Sequence, residues 1–143
     1  MRNPSRKRWD RLHELSVAGG IFQAVLDALK SMEGVRGLKT VRVEVGELTF
    51  LNPQQLKFAW EVLSEQNELT RGSVMEIERI SPRGQCERCG WEGSLRTEED
   101  PTYHFITPIF SCPSCGGDIT IVRGLETKVK NIVVDIEEEE DAE

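Results

Sequence analysis

The sequence predicts an α+β fold in which two helices cover a three-stranded sheet, with a zinc-ribbon-like four-cysteine module inserted before the last strand. Three observations predict it. Two stretches carry apolar residues at helical spacing. Three others alternate apolar and polar residues as half-buried strands do. All four cysteines fall between the second and third of those strands.

The first helix rests on Val17, Ile21, Ala24, Val25, Ala28, Leu29 and Met32, which share one stripe. Gly34 and Gly37 end it. In the strand Thr40 to Gly46, Val41, Val43 and Val45 face one way and Arg42 and Glu44 the other. Asn52-Pro53-Gln54-Gln55 then reads as an N-cap, a proline at the first helical position and a glutamine three residues after the cap. The second helix should bury Leu56, Ala59, Trp60 and Leu63. Gly72 turns the chain into a strand from Val74 to Ile80, with Met75 and Ile77 on one face. Pro82 and Gly84 mark a boundary.

Residues 84–124 differ in texture, holding every cysteine and three of the six prolines. The strand pattern returns from Lys128 to Ile136, where Ile132, Val134 and Ile136 alternate. This last strand needs partners, and the two earlier strands supply them. The cysteine segment is therefore read as an insert. Residues 1–11 show no apolar periodicity and are expected as a disordered extension. Residues 137–143 are an acidic tail, expected to be solvated.

The 143 residues amount to one domain's worth with a small insert, and 38% hydrophobic content supports a real core. Acidic residues number 25 against 18 basic, a net charge of -7. That balance argues against nucleic acid, whose binding rests on cations meeting phosphates. No apolar run approaches the roughly 20 residues of a membrane span, and no secretory signal is present. Neither a membrane nor a nucleic-acid partner is expected.

Cys86-Glu87-Arg88-Cys89-Gly90 and Cys112-Pro113-Ser114-Cys115-Gly116 are two CxxC turns separated by 22 residues. Each turn converges two thiolates on one ion, and the following glycine permits the positive φ that ends it. Four sulfurs make a closed tetrahedral set suited to structural Zn²⁺, with no open position for catalysis. The same set could hold iron. Cysteines confined to such pairs point to a metal site in a reducing cytoplasm rather than to disulfides.

The chain has two histidines, His13 and His104. His13 sits in Leu12-His13-Glu14-Leu15-Ser16, and a histidine there is commonly a polar surface residue. Taken with the helix that follows, with Val45-Gly46-Glu47-Leu48 and with the two cysteine pairs, the run forms an ordered set. From about Leu12 to Ile136 that set resembles the HypA/HybF family of hydrogenase-maturation nickel metallochaperones.

The resemblance implies a nickel-binding domain (12–83 plus 125–136) and a zinc-binding domain (84–124). It implies that Ni²⁺ is a transient cargo, passed with a maturation GTPase toward the large subunit of a [NiFe] hydrogenase. It places the nickel ligands at the chain start: an α-amine, the next residue's imidazole and backbone nitrogens. Carried over, these are Leu12, His13 and Glu14. Fused chelate rings of amine, amide and imidazole nitrogen suit square-planar Ni²⁺. Family members begin Met-His-Glu, whereas eleven residues precede Leu12 here, so the functional chain is expected to begin at position 12, read as methionine. The family's acidic position after Gly-Glu-Leu reads Asn52.

His104, in Tyr103-His104-Phe105, is an auxiliary nickel candidate or a structural histidine between aromatics. No Ser/His/Asp set, Walker loop or nucleotide fingerprint appears, so no enzyme is expected. The expected protein is a cytoplasmic monomer or homodimer. The alternative is a zinc-ribbon module that binds nucleic acid or protein, using Trp91, Tyr103, Phe105 and Phe110.

Overall fold

The structure is a computed structural model that describes residues 4–95, 97–100, 105–108 and 111–137, with side chains described for 13–95 and 111–137. The chain runs α1 (Pro4–Lys30), β1 (Val35–Gly46), a short 3-10 helix (Glu47–Thr49), α2 (Pro53–Ser64) and β2 (Val74–Ile80). The cysteine segment adds β3 (Arg83–Cys86), β4 (Glu92–Ser94), β5 (Thr97–Asp100), β6 (Phe105–Pro108) and β7 (Ile119–Arg123). β8 (Thr127–Ile136) follows. One sheet has the order β2-β1-β8, a second β4-β3-β7, and β5 pairs with β6. The fold class is the expected α+β, and the last strand joins the first, as its apolar alternation required.

Contacts divide the chain into two compact units. One comprises Met1–Glu44, Leu51–Glu78 and Lys128–Glu143; the other comprises Val45–Phe50 and Arg79–Thr127.

In the first unit, Val41 and Val43 of β1 are fully buried, as are Leu56 and Trp60 of α2 and Val25 and Leu29 of α1. The Trp60 indole Nε1 donates to Ser73 Oγ at 3.0 Å, and Phe22 meets the Trp60 ring edge-on at 6.0 Å. The largest core side chain thus has its one polar atom satisfied. The other face of β1 is charged. Arg42 Nε lies 2.9 Å from Glu76 Oε2, Lys130 Nζ 3.1 Å from Glu78 Oε2, and Lys128 Nζ 3.4 Å from Glu44 Oε2. These cross-strand pairs of opposite sign solvate one face while the valines fill the other. The Glu44–Lys128 pair, together with the 2.7 Å bond from Glu137 N–H to Gly34 O, sets β8 antiparallel to β1.

α1 differs from expectation at its start. It begins at Pro4, so residues 4–11, expected as a disordered extension, are helical. The physical reason is that proline is tolerated in a first turn and no Gly or Pro interrupts the chain from Ser5 to Ala18. Ile21, Val25 and Leu29 of the expected stripe are buried, joined by Ala18 and Leu26. Ala24 is exposed, and so is Met32, because the helix ends two residues earlier.

α2 begins as its sequence requires. Asn52 has an extended backbone and its Oδ1 accepts from the N–H groups of Gln54 and Gln55 at 2.9 and 3.1 Å, with Pro53 in the first turn.

Candidate metal centre

Each cysteine pair is built the same way. In the first turn Cys86 N–H donates to Trp91 O at 2.7 Å and Gly90 N–H to Cys86 O at 2.9 Å. In the second, Cys112 N–H donates to Gly117 O at 2.9 Å and Gly116 N–H to Cys112 O at 2.8 Å. Gly90 and Gly116 have φ of 79° and 74°, the left-handed backbone that the sequence pattern anticipates. In both turns the first cysteine is buried and the second exposed.

The two turns bring their sulfurs together. Cys86 Sγ lies 3.6 Å from Cys115 Sγ and Cys89 Sγ 3.5 Å from Cys112 Sγ, and all four sit within 4.8 Å of one another. A disulfide would need about 2.05 Å. A tetrahedral ion with ~2.3 Å metal–sulfur bonds needs sulfurs about 3.8 Å apart, so the cluster has room for a metal such as zinc. Among the described residues it is the one group of this kind.

The electrostatics agree. Burial raises the Cys112 thiol, but the N–H groups of Cys115 and Ser114 and the neighbouring sulfurs outweigh it and hold it at about 7. The Gly117 N–H lowers Cys115, yet Cys86, burial, Cys89 and Cys112 push it up to about 12. The neighbouring sulfurs thus drive these two thiols in opposite directions. Four thiolates crowded together need a cation to balance them.

Gly46, read from the sequence as a strand end, and Glu47 and Leu48, which it offered only as part of a family pattern, belong to the same unit as the cysteines. Gly46 N–H donates to Glu126 O at 2.7 Å and Leu48 N–H to Gly124 O at 2.9 Å. The Glu126 carboxylate in turn accepts from the Gly124 N–H. Burial raises the Glu126 carboxyl, and the Gly124 N–H, its own N–H and Arg123 together bring it below its ordinary value. Sequence reasoning missed Gly124 and Glu126. Their only signal is a glycine followed closely by an acid just before a strand.

The N-terminal candidates lie elsewhere. Leu12, His13 and Glu14 are all within α1. His13 is exposed. Glu14 is 5% exposed, and its Oε1 accepts from the Asn52 N–H at 3.0 Å. The nitrogens of residues 12–14 stand inside the helix, where each N–H faces the carbonyl four residues back. His104 lies outside the described residues.

Comparison with known proteins agrees with this layout. The family described as hydrogenase/urease nickel incorporation, metallochaperone, hypA matches residues 12–134. The hydrogenase maturation factor HypA of Methanothermobacter thermautotrophicus (strain Delta H) is 42% identical over 125 residues, which cover 87% of this chain and 98% of the relative. The HypA of Methanococcus vannielii is 33% identical over 132 residues, covering 89% and 100%. The solution structure of the Ni metallochaperone HypA from Helicobacter pylori matches with a TM-score of 0.61 at 17% identity, covering 87% of this chain and 98% of that one. A second HypA solution structure gives 0.65 at 16%, covering 88% and 98%. These two likenesses establish the fold. A family match running through both cysteine pairs, joined to relatives matched over 98% and 100% of their own length, makes this chain a member of the HypA family of nickel-incorporation metallochaperones.

Proposed function

We propose that the chain binds Ni²⁺ as cargo through its N-terminal segment and delivers it during maturation of a [NiFe] hydrogenase, while its four cysteines hold a structural Zn²⁺. Membership of a nickel-incorporation family is the observation that carries the reading. In this reading residues 12–83 with 125–136 form the nickel-binding domain and 84–124 the zinc-binding domain. The ion supplies the cysteine segment with a four-bond cross-link and no reactive position. The chain acts in the cytoplasm as a carrier rather than an enzyme. It works with a maturation GTPase and the hydrogenase large subunit. Among the described residues, no helix is long and apolar enough to cross a membrane.

Leu12 nitrogen, the His13 imidazole and the nitrogens of His13 and Glu14 are the proposed nickel donors, with His104 as an auxiliary. The first four N–H groups of a helix have no partner within it. A chain begun at position 12 would offer these nitrogens at a free helix end, together with an amine. In the longer helix from Pro4 they face carbonyls instead. Nickel titrations of two forms, one as written and one begun with methionine at position 12, test this through affinity and the d–d absorption band. The form begun at 12 should bind more tightly, with a square-planar spectrum. Equal affinity and the same spectrum in both would remove the amine from the site, and no binding by either would end the nickel reading. For His104, unchanged nickel affinity in His104→Ala, free and partner-bound, would reject the auxiliary role.

A further inference from the structure

In an ordinary capping box the side chain three residues into the helix reaches back to the N–H of the cap residue. α2 does not close its own box in this way. The cap is Asn52 and the third residue is Gln55, whose side chain is exposed and whose N–H is spent on Asn52 Oδ1. The Asn52 N–H goes instead to the carboxylate of Glu14, 38 residues earlier in α1. The acid of the capping box is thus supplied by another helix.

Glu14 is buried while its neighbours His13 and Leu15 are exposed. A buried carboxylate is costly unless hydrogen-bonded, so its presence calls for a use. The carboxylate is committed to the start of α2 from the buried side of α1, whereas the His13 side chain stands in the open.

We propose that Glu14 is a positioning residue for nickel: its carboxylate fastens the segment carrying His13 to the N-terminus of α2 and does not itself reach the metal. This rests on the reading that the nickel donors lie at residues 12–14. Consecutive backbone nitrogens and an imidazole bind one ion well when the chain bearing them is already held, because less ordering remains to be done on binding.

The test uses Ni²⁺ alone as the probe, on the full chain and on the form begun at position 12. Wild type, Glu14→Gln and Glu14→Ala are compared by calorimetric titration, the d–d band and amide hydrogen exchange at Asn52. Gln keeps an oxygen for the Asn52 N–H and loses the charge a metal ligand would need. Glu14→Gln should hold nickel affinity within about threefold, with Asn52 still protected. Glu14→Ala should lose about tenfold or more in affinity while Asn52 exchange accelerates by a similar factor. The band should keep its position in all three proteins, because the donors are unchanged. A shifted band in Glu14→Gln, or a loss equal to that of Glu14→Ala, would make the carboxylate a ligand and overturn the proposal. Unchanged affinity in Glu14→Ala with faster Asn52 exchange would leave a clamp with no part in nickel binding and would equally overturn it. A wild type that binds no nickel rejects the underlying reading instead, an outcome visible before any variant is made.

Discussion

The backbones of Gly46 and Gly124 approach so closely that a Cβ on Gly46 would overlap the Gly124 carbonyl. The contact is made by main chain on both sides, so no rotamer change can relieve it.

Gly46→Ala should therefore destabilise the unit that carries the cysteines by about 3 kcal/mol, since the backbone itself must move. Gly20→Ala provides the control. Gly20 lies in α1 with nothing within 4 Å of an added Cβ, so alanine there should raise stability by up to about 1 kcal/mol. Urea unfolding of the two variants should show shifts of opposite sign.

Stripping the metal should unfold the cysteine segment selectively. Trp91 packs beside Gly93 near the first turn, whereas Trp60 is buried against Phe22 and Ser73 in the other unit. Chelation, or Cys112→Ser, should release about one metal ion per chain and speed amide exchange around Trp91. Exchange around Trp60 should stay slow. Loss of protection at both tryptophans would show that the two units do not hold their structure separately.

Glu126 gives an acid limb with a defined sign. Its carboxyl is held below its ordinary value in the fold. The stability it contributes is fully present above the unfolded-state value near ~4.3 and is lost as pH falls through the lower folded value. Glu126→Gln should be less stable than wild type by about 1 kcal/mol at pH 7, because the charged acceptor for Gly124 is replaced by a neutral one. The two stability curves should converge as pH falls below that range in a denaturation series. A constant gap down to strong acid would contradict the assignment.

Asn52→Ala should cost about 1 kcal/mol, the usual loss when an N-cap oxygen is removed, and Asn52→Asp should cost little. Thermal unfolding of both variants tests this. The alanine variant keeps the N–H that meets Glu14, so its loss reports the cap alone.

What could be read from the sequence depended on range. Val41, Val43 and Val45 declare their strand by alternation, Asn52-Pro53 declares a helix start, and two CxxC turns declare a metal site. Each of these is a local pattern with one dominant physical cause. The pairing of Gly46 with Gly124 has no such pattern, because both partners are bare backbone far apart in the chain. The bond from Asn52 to Glu14 is similarly invisible: the cap was legible from its own residues, but nothing nearby says which acid satisfies its N–H. The early start of α1 was missed for another reason. Apolar periodicity marks where a helix is buried, and Ser5 to Arg11 can be helical without showing that stripe. The small strands β3 and β4 escaped notice because Gly84 and Gly93 break any alternation there, and β7 because Ile119-Thr120-Ile121 is a short run beside the cysteine turns.

The position of β1 in its sheet sets an order for making the molecule. β2, one neighbour, leaves the ribosome soon after β1, but β8, the other, comes only after the whole stretch from Ser81 to Glu126. Until then one side of the central strand is a row of unanswered amides and carbonyls, the kind of edge that recruits stray chains. Bringing β8 home also means closing a long loop, and that entropic cost grows with the number of free residues between its ends. Cysteine turns that have already folded take residues out of that count. On a translating ribosome, metal supply would then act as a timer, governing how long the sheet stays open.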